Sequence, residues 1–109
     1  MSKITTHVLD TVLGKPAAGI AVRLERQDHG HWSDVATAET DNDGRCPNLA
    51  HEAAAGRYRL TFRTGDYLSS QGRSSIYPEI AIIFECGNDA HYHLPILLSD
   101  NSYTTYRGS

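Results

Sequence analysis

The stretch "HYHLPILLS", residues 91–99, decides the fold. In an extended strand successive side chains point to opposite faces. Tyr92, Leu94, Ile96 and Leu98 then share one apolar face, which reads as a core face. His91, His93, Pro95 and Leu97 share the other. That second face is not ordinary solvent chemistry. Proline suits an edge, a strand end or a position whose N–H need not pair. An outward leucine beside two histidines suits a face covered by another subunit or lining a pocket. The stretch therefore predicts a β-sheet with one side in the core and the other equipped with titratable groups.

Similar runs recur on either side, separated by turn chemistry. "ITTHVLDT" at 4–11 alternates, with His7 and Leu9 opposite Thr6 and Val8. "IAVRLERQ" at 20–27 puts Ile20, Val22 and Leu24 on one face, and "GRYRLTFRT" at 56–64 does the same with Tyr58, Leu60 and Phe62. "WSDVATAE" at 32–39, "EIAIIFEC" at 79–86 and "SYTTYRG" at 102–108 complete the set of strands. "TDNDG" at 40–44 is the strongest turn signal, because Asn, Asp and Gly tolerate left-handed backbone. Short strands with regular turn punctuation favour a sandwich or barrel. Helix signals are few: "NLAHEAAA" at 48–55 has helical composition for about two turns, and 64–71 has room for one short helix.

The whole chain, 1–109, is expected to be one domain, since 109 residues suffice for one core without disulfides or metals. The formal net charge of −3 argues against nucleic acid, whose phosphates need a clustered basic surface. No apolar run approaches the ~20 residues of a membrane span. "MSKITTHVLD" carries no signal-peptide core, which leans towards the cytoplasm, or the periplasm had a signal been removed. Cys46 and Cys86 are too few for a disulfide scaffold and read as free thiols.

If the strands at 4–11, 91–99 and 102–108 share a sheet, one face carries His7, His93, Thr104 and Tyr106. A lone strand histidine is usually a hydrogen-bonded or solvated residue, so His7 alone says little. The His-x-His spacing of 91–93 is sharper, since both rings leave the same face and can hold zinc with a third ligand. No focused third ligand accompanies it, and neither Cys-x-x-Cys nor His-Glu-x-x-His is present. The serine-hydrolase elbow and the Gly-rich phosphate loops are also missing.

Beyond single residues, "HVLDTVLGKPAAGIAVRL" at 7–24 resembles the N-terminal signature of the transthyretin-like family. "HYHLPILLSDNSYTTYRGS" at 91–109 resembles the C-terminal signature of that family's enzyme branch, the 5-hydroxyisourate hydrolases. "TDNDGRC" at 40–46 and "YPEIAIIFE" at 77–85 fit between them. The Tyr-Arg-Gly-Ser end is specific, because hormone-carrying transthyretins lack it. The resemblance implies a prealbumin-like, all-β two-sheet sandwich of about eight strands with one short helix near 64–71. It implies a homotetramer, a dimer of dimers, with active sites at the dimer–dimer interface.

The resemblance also implies roles. The family's catalytic histidine, arginine and second histidine fall on His7, Arg45 and His93. Substrate contacts fall on His7, Arg45, Tyr106, Arg107, Gly108 and Ser109, and no cofactor or metal is required. The implied substrate is a small molecule, 5-hydroxyisourate, whose hydrolysis gives a ureidoimidazoline carboxylate in urate breakdown. Two neutral histidines suit water activation and proton delivery, and an arginine suits a developing oxyanion. The competing class is a transthyretin-type carrier that binds a small aromatic ligand without turnover. One departure stands out: Asp100 follows "LLS" where the family commonly has proline, which predicts altered loop geometry and little loss of activity.

Overall fold

The computed structural model describes residues 1–109. Nine strands and one helix follow in order: β1 Ser2–Asp10, β2 Lys15–Pro16, β3 Ala21–Asp28, β4 His31–Glu39, β5 Arg45–Ala53, β6 Gly56–Phe62, α1 Thr64–Ser70, β7 Ile80–Cys86, β8 His91–Leu98 and β9 Tyr103–Thr105. Two sheets form. One runs β4-β3-β6-β7, all antiparallel. The other runs β2-β1-β8-β9, with β5 also paired to β1.

The alternating patterns set the layers. Ile4 and Val8 of β1, Val22 and Leu24 of β3, Tyr58, Leu60 and Phe62 of β6, and Leu94, Ile96 and Leu98 of β8 are all buried between the sheets. These are the faces read from period two. Burying side chains of this size contributes about 1.5–3 kcal/mol each, so the core is the main source of stability. Leu68 and Tyr67 of α1 close one side of it.

The pairing of β1 with β8 is parallel, from Lys3 opposite His91 to Asp10 opposite Leu98. Parallel neighbours cannot be joined by a tight turn, and here most of the chain lies between them. The first strand thereby comes to lie beside the penultimate one, with the same face outward.

Two local expectations change. The Ala-rich segment 48–55 is not helical; as far as Ala53 it belongs to β5, which is bulged against β1, with Ile4 opposite Ala50 and Thr6 opposite Cys46. Leu49 and Ala53 are buried there. Core burial and an unpaired β1 edge outweigh a helix propensity of a few tenths of a kcal/mol per residue. The final segment 102–108 is not one strand. It pairs with β8 only at Tyr103–Thr105, then leaves the ladder and returns as a single bridge between Gly108 and His93. The nine strands, counting the two-residue β2, fit the expected sandwich of about eight.

Asp100 finds a partner. Arg73 donates to its Oδ1 from Nε at 3.0 Å and Nη2 at 2.6 Å. The same guanidinium donates to fully buried Asp10 at 2.6 Å. Burial alone would push the Asp10 carboxyl up; donors from Arg73, Tyr67 and the Leu13 N–H more than offset it and hold it at about 2.

Candidate active site

The candidate site lies on the outer face of the five-stranded sheet. Parallel pairing sets Lys3 beside His91, Thr5 beside His93, and His7 beside Pro95. On the other edge of β1, His7 faces Arg45 directly. Two of these positions depend on glycine. Gly44 has φ +75°, and a Cβ there would lie 2.3 Å from the Val8 carbonyl oxygen. That close approach lets the Val8 N–H donate to the Gly44 carbonyl at 2.8 Å. Asp41 Oδ1 accepts from the N–H groups of Asp43 and Arg45 at 2.9 and 3.0 Å. The Asx turn read in "TDNDG" thus delivers Arg45 to the edge of β1, opposite His7.

Gly108 is the second. Its N–H donates to the His93 carbonyl at 2.8 Å. A Cβ there would come within 2.6 Å of His93 Cδ2 and 3.2 Å of Pro95 Cγ. The tail lies flat on the His93 ring because this residue has no side chain. Arg107 anchors the tail from the other side. Its guanidinium bonds Asp89 at 2.8 Å and sits 4.5 Å from the centre of the Tyr92 ring.

A concavity of about 240 Å³ results, lined by Lys3, Thr5, Arg45, His91, His93 and Ser109 among others. Its rings are organised by one hydroxyl. Thr5 Oγ1 lies 2.7 Å from His91 Nε2 and 2.7 Å from His93 Nδ1. His93 is half-buried, and its pKa is lowered, first by that burial and then by the charges of His91, Arg45 and His7. The ring is therefore neutral at physiological pH, with Nδ1 engaged and Nε2 still accessible. A neutral imidazole with one bare nitrogen, next to an arginine, can take a proton from water while a cation awaits negative charge. Cys46, beside Arg45, is inert by contrast: burial, and then Asp41, push its thiol up to about 11.

Of the residues named from sequence, the structure brings Arg45, His93 and Ser109 into the concavity, with Gly108 against His93. His7 sits half-buried on the same face, adjacent to Arg45 but outside this lining. Tyr106 is 52% exposed and also stands outside it. The expectation that Tyr106 follows the strand period fails, because the strand ends at Thr105. Arg107 is expected as a substrate contact, yet its guanidinium is committed to Asp89 and Tyr92 and serves to pin the tail. Sequence reasoning missed Lys3 and Thr5, and named His91 only as the neighbour of His93 on the outward face and as a zinc ligand. Starting the first strand at Ile4 left Lys3 out of it, and only the parallel register shows that Thr5 lies between the two rings.

Against this geometry, residues 4–108 match the HIUase/Transthyretin family. The chain belongs to that family. A 5-hydroxyisourate hydrolase of Caulobacter vibrioides is 44% identical over 100% of both chains. The solved structure of the Klebsiella pneumoniae 5-hydroxyisourate hydrolase superposes with a TM-score of 0.90 at 38% identity, covering 100% of both chains. Sea bream transthyretin in complex with thyroxine superposes with a TM-score of 0.93 at 33% identity, covering 97% of this chain and 94% of that one. Hydrolases and carriers of the HIUase/Transthyretin family thus share this backbone, and the fold alone does not choose between them. The chemistry on the outer face must.

Proposed function

We infer that this protein is a 5-hydroxyisourate hydrolase. The observation that carries the reading is the face joining His7, Arg45 and His93 to the Gly108 tail, together with relatives at about this identity that are hydrolases of that substrate. A carrier needs apolar contact with its ligand. It has no need of a neutral histidine with a bare nitrogen, placed beside a fixed cation.

Water adds to a carbonyl carbon of the substrate ring, the adjacent C–N bond opens, and a ureidoimidazoline carboxylate is released. His93 is assigned the water proton, accepted at Nε2. Arg45 presents forked donors to the oxygen that becomes anionic. His7, adjacent to Arg45, is assigned to orient the substrate and to exchange protons with it. Tyr106, exposed and outside the concavity of the single chain, is assigned to cover the planar heterocycle with its ring and hydroxyl once two such faces are opposed. Gly108 and Ser109 form a wall through backbone. The catalytic unit is residues 1–109 acting as one domain.

The active form is a homotetramer with these faces opposed across the dimer–dimer interface. Support comes from the open shape of the concavity and from apolar groups further along the same strands: Leu9 and Leu97 are only half-buried on the outward face, and Val12 and Leu13 just past β1 are exposed. No helix is long and apolar enough to cross a membrane.

The test is turnover. Purified protein is added to freshly generated 5-hydroxyisourate and the loss of its ultraviolet absorbance is followed. Acceleration over the spontaneous rate, falling at least ~10²-fold in His7→Ala and Arg45→Ala, is expected. Binding without acceleration returns the protein to the carrier class.

A further inference from the structure

The hydroxyl of Thr5 has one proton to donate, yet it lies within hydrogen-bond distance of two histidine rings. With both rings neutral, only two arrangements satisfy all three groups. In one, His93 Nδ1–H donates to Thr5 and Thr5 donates to His91 Nε2. The Nε2 of His93 is then bare and basic. In the other, His91 Nε2–H donates to Thr5 and Thr5 donates to His93 Nδ1. The proton of His93 then sits on Nε2, where it is an acid. The Thr5 proton thus sets which tautomer His93 adopts, and the two tautomers are the two forms that hydrolysis needs in turn.

We propose that Thr5 and His91 form a proton hand-off behind His93, switching it from general base to general acid within one turnover. The inference rests on the hydrolase reading above. Its steps balance. A water O–H bond breaks as His93 Nε2–H forms and the hydroxide oxygen bonds the carbonyl carbon. The Nδ1–H proton of His93 passes to the Thr5 oxygen while the Thr5 proton passes to His91 Nε2. His93 is now neutral and carries its proton on Nε2, and the positive charge rests on His91. As the ring C–N bond breaks, Nε2–H goes to the departing nitrogen while the His91 proton returns through Thr5 to His93 Nδ1, so His93 stays neutral throughout and the first arrangement is restored.

The placement of the two rings favours this direction. His93 is half-buried, while His91 is exposed at the rim, where water solvates a cation. The ring centroids are 6.0 Å apart, no hydrogen bond joins the two rings, and Thr5 is the group bonded to both. Thr5 is itself buried, held by the parallel ladder that sets it opposite His93. His91 and Thr5 act through His93, so both are positioning residues.

Three variants test this: Thr5→Val, which keeps shape and removes the hydroxyl; Thr5→Ser, which keeps the hydroxyl; and His91→Gln, which keeps a hydrogen-bonding group that cannot hold the extra proton. Thr5→Val and His91→Gln are expected to lower kcat about 10- to 100-fold with KM nearly unchanged, and Thr5→Ser to restore most of the rate. Nitrogen-15 spectra of the ring nitrogens read the His93 tautomer without substrate. The wild-type ring is expected to exchange between both tautomers, and Thr5→Val to settle in one. Exposed His91 can be replaced without threatening the fold, so that variant stands if Thr5→Val unfolds. Wild-type kcat in folded His91→Gln, or a His93 tautomer indifferent to Thr5→Val, overturns the hand-off. A wild-type protein with no turnover but a Thr5-dependent tautomer overturns the hydrolase reading instead.

Discussion

Gly108→Ala is a one-carbon change in the C-terminal tail. The added Cβ would sit 2.6 Å from His93 Cδ2 and 3.2 Å from Pro95 Cγ. Carbon atoms rest comfortably at about 3.5–4.0 Å, so one partner must move by about 1 Å. The ring is the less free of the two. Its Nδ1 is tied to Thr5 at 2.7 Å, and β8 is paired with β1 along its whole length. The tail moves instead, and it carries Ser109 out of the concavity. The lost bond from the Gly108 N–H to the His93 carbonyl is worth about 0.5–1.5 kcal/mol net. None of the sandwich core depends on it, so the melting temperature should fall by no more than about 10 °C. A 1 Å error in a catalytic wall costs about 10²-fold in rate. The expected result is therefore lopsided: a large loss in initial rate of 5-hydroxyisourate consumption and a small shift in the circular-dichroism melt. A Gly108→Ala protein with the wild-type rate would refute the claim that the tail shapes the site. A variant whose rate falls only as its fold collapses would refute it equally.

Arg73→Leu leaves Asp10 buried without its cation and should cost about 3–5 kcal/mol, read as a lower melting temperature. Folded variant should keep its turnover, because Asp10 lies five residues along β1 from Thr5. In the wild type, the Asp10 carboxyl is held at about 2 against an ordinary 3.8. A depressed carboxylate contributes stability above its unfolded pKa and loses it as pH falls towards the folded one. Denaturant melts should thus lose about 2 kcal/mol between pH 4 and pH 2, and Asp10→Asn should flatten that loss. For activity, burial and neighbouring charges lower the His93 pKa below its ordinary 6.5. The base stays neutral until the pH is below that value, so the acid limb of kcat/KM should lie under 6.5. A limb above pH 7 would contradict the assigned base.

The layers were legible because period two is enforced by burial. Each of Val22, Leu24, Leu60, Ile96 and Leu98 is where alternation put it, since a one-residue slip would expose the whole set. The turn before Arg45 was legible because Asp41 and Gly44 are demanded by backbone geometry, while the role of Arg45 itself came only from the family resemblance. The segment 48–55 was not, since its strand is imposed by the β1 edge rather than by its own residues. Thr5 was not legible because a threonine in a strand looks like any β-former. Its role appears only once two strands some 86 residues apart are set side by side in parallel register. Arg107 was legible only as part of a C-terminal motif; that its guanidinium bonds Asp89 and sits over the Tyr92 ring appears only in the structure.

The central claim is that the His93 face hydrolyses 5-hydroxyisourate. The most direct measurement is the rate of absorbance loss from freshly generated 5-hydroxyisourate with wild-type protein and His93→Ala side by side. The expected result is clear acceleration by the wild type and a loss of at least ~10²-fold in the folded variant. Decay at the spontaneous rate with wild-type protein, or equal acceleration by both, would contradict it.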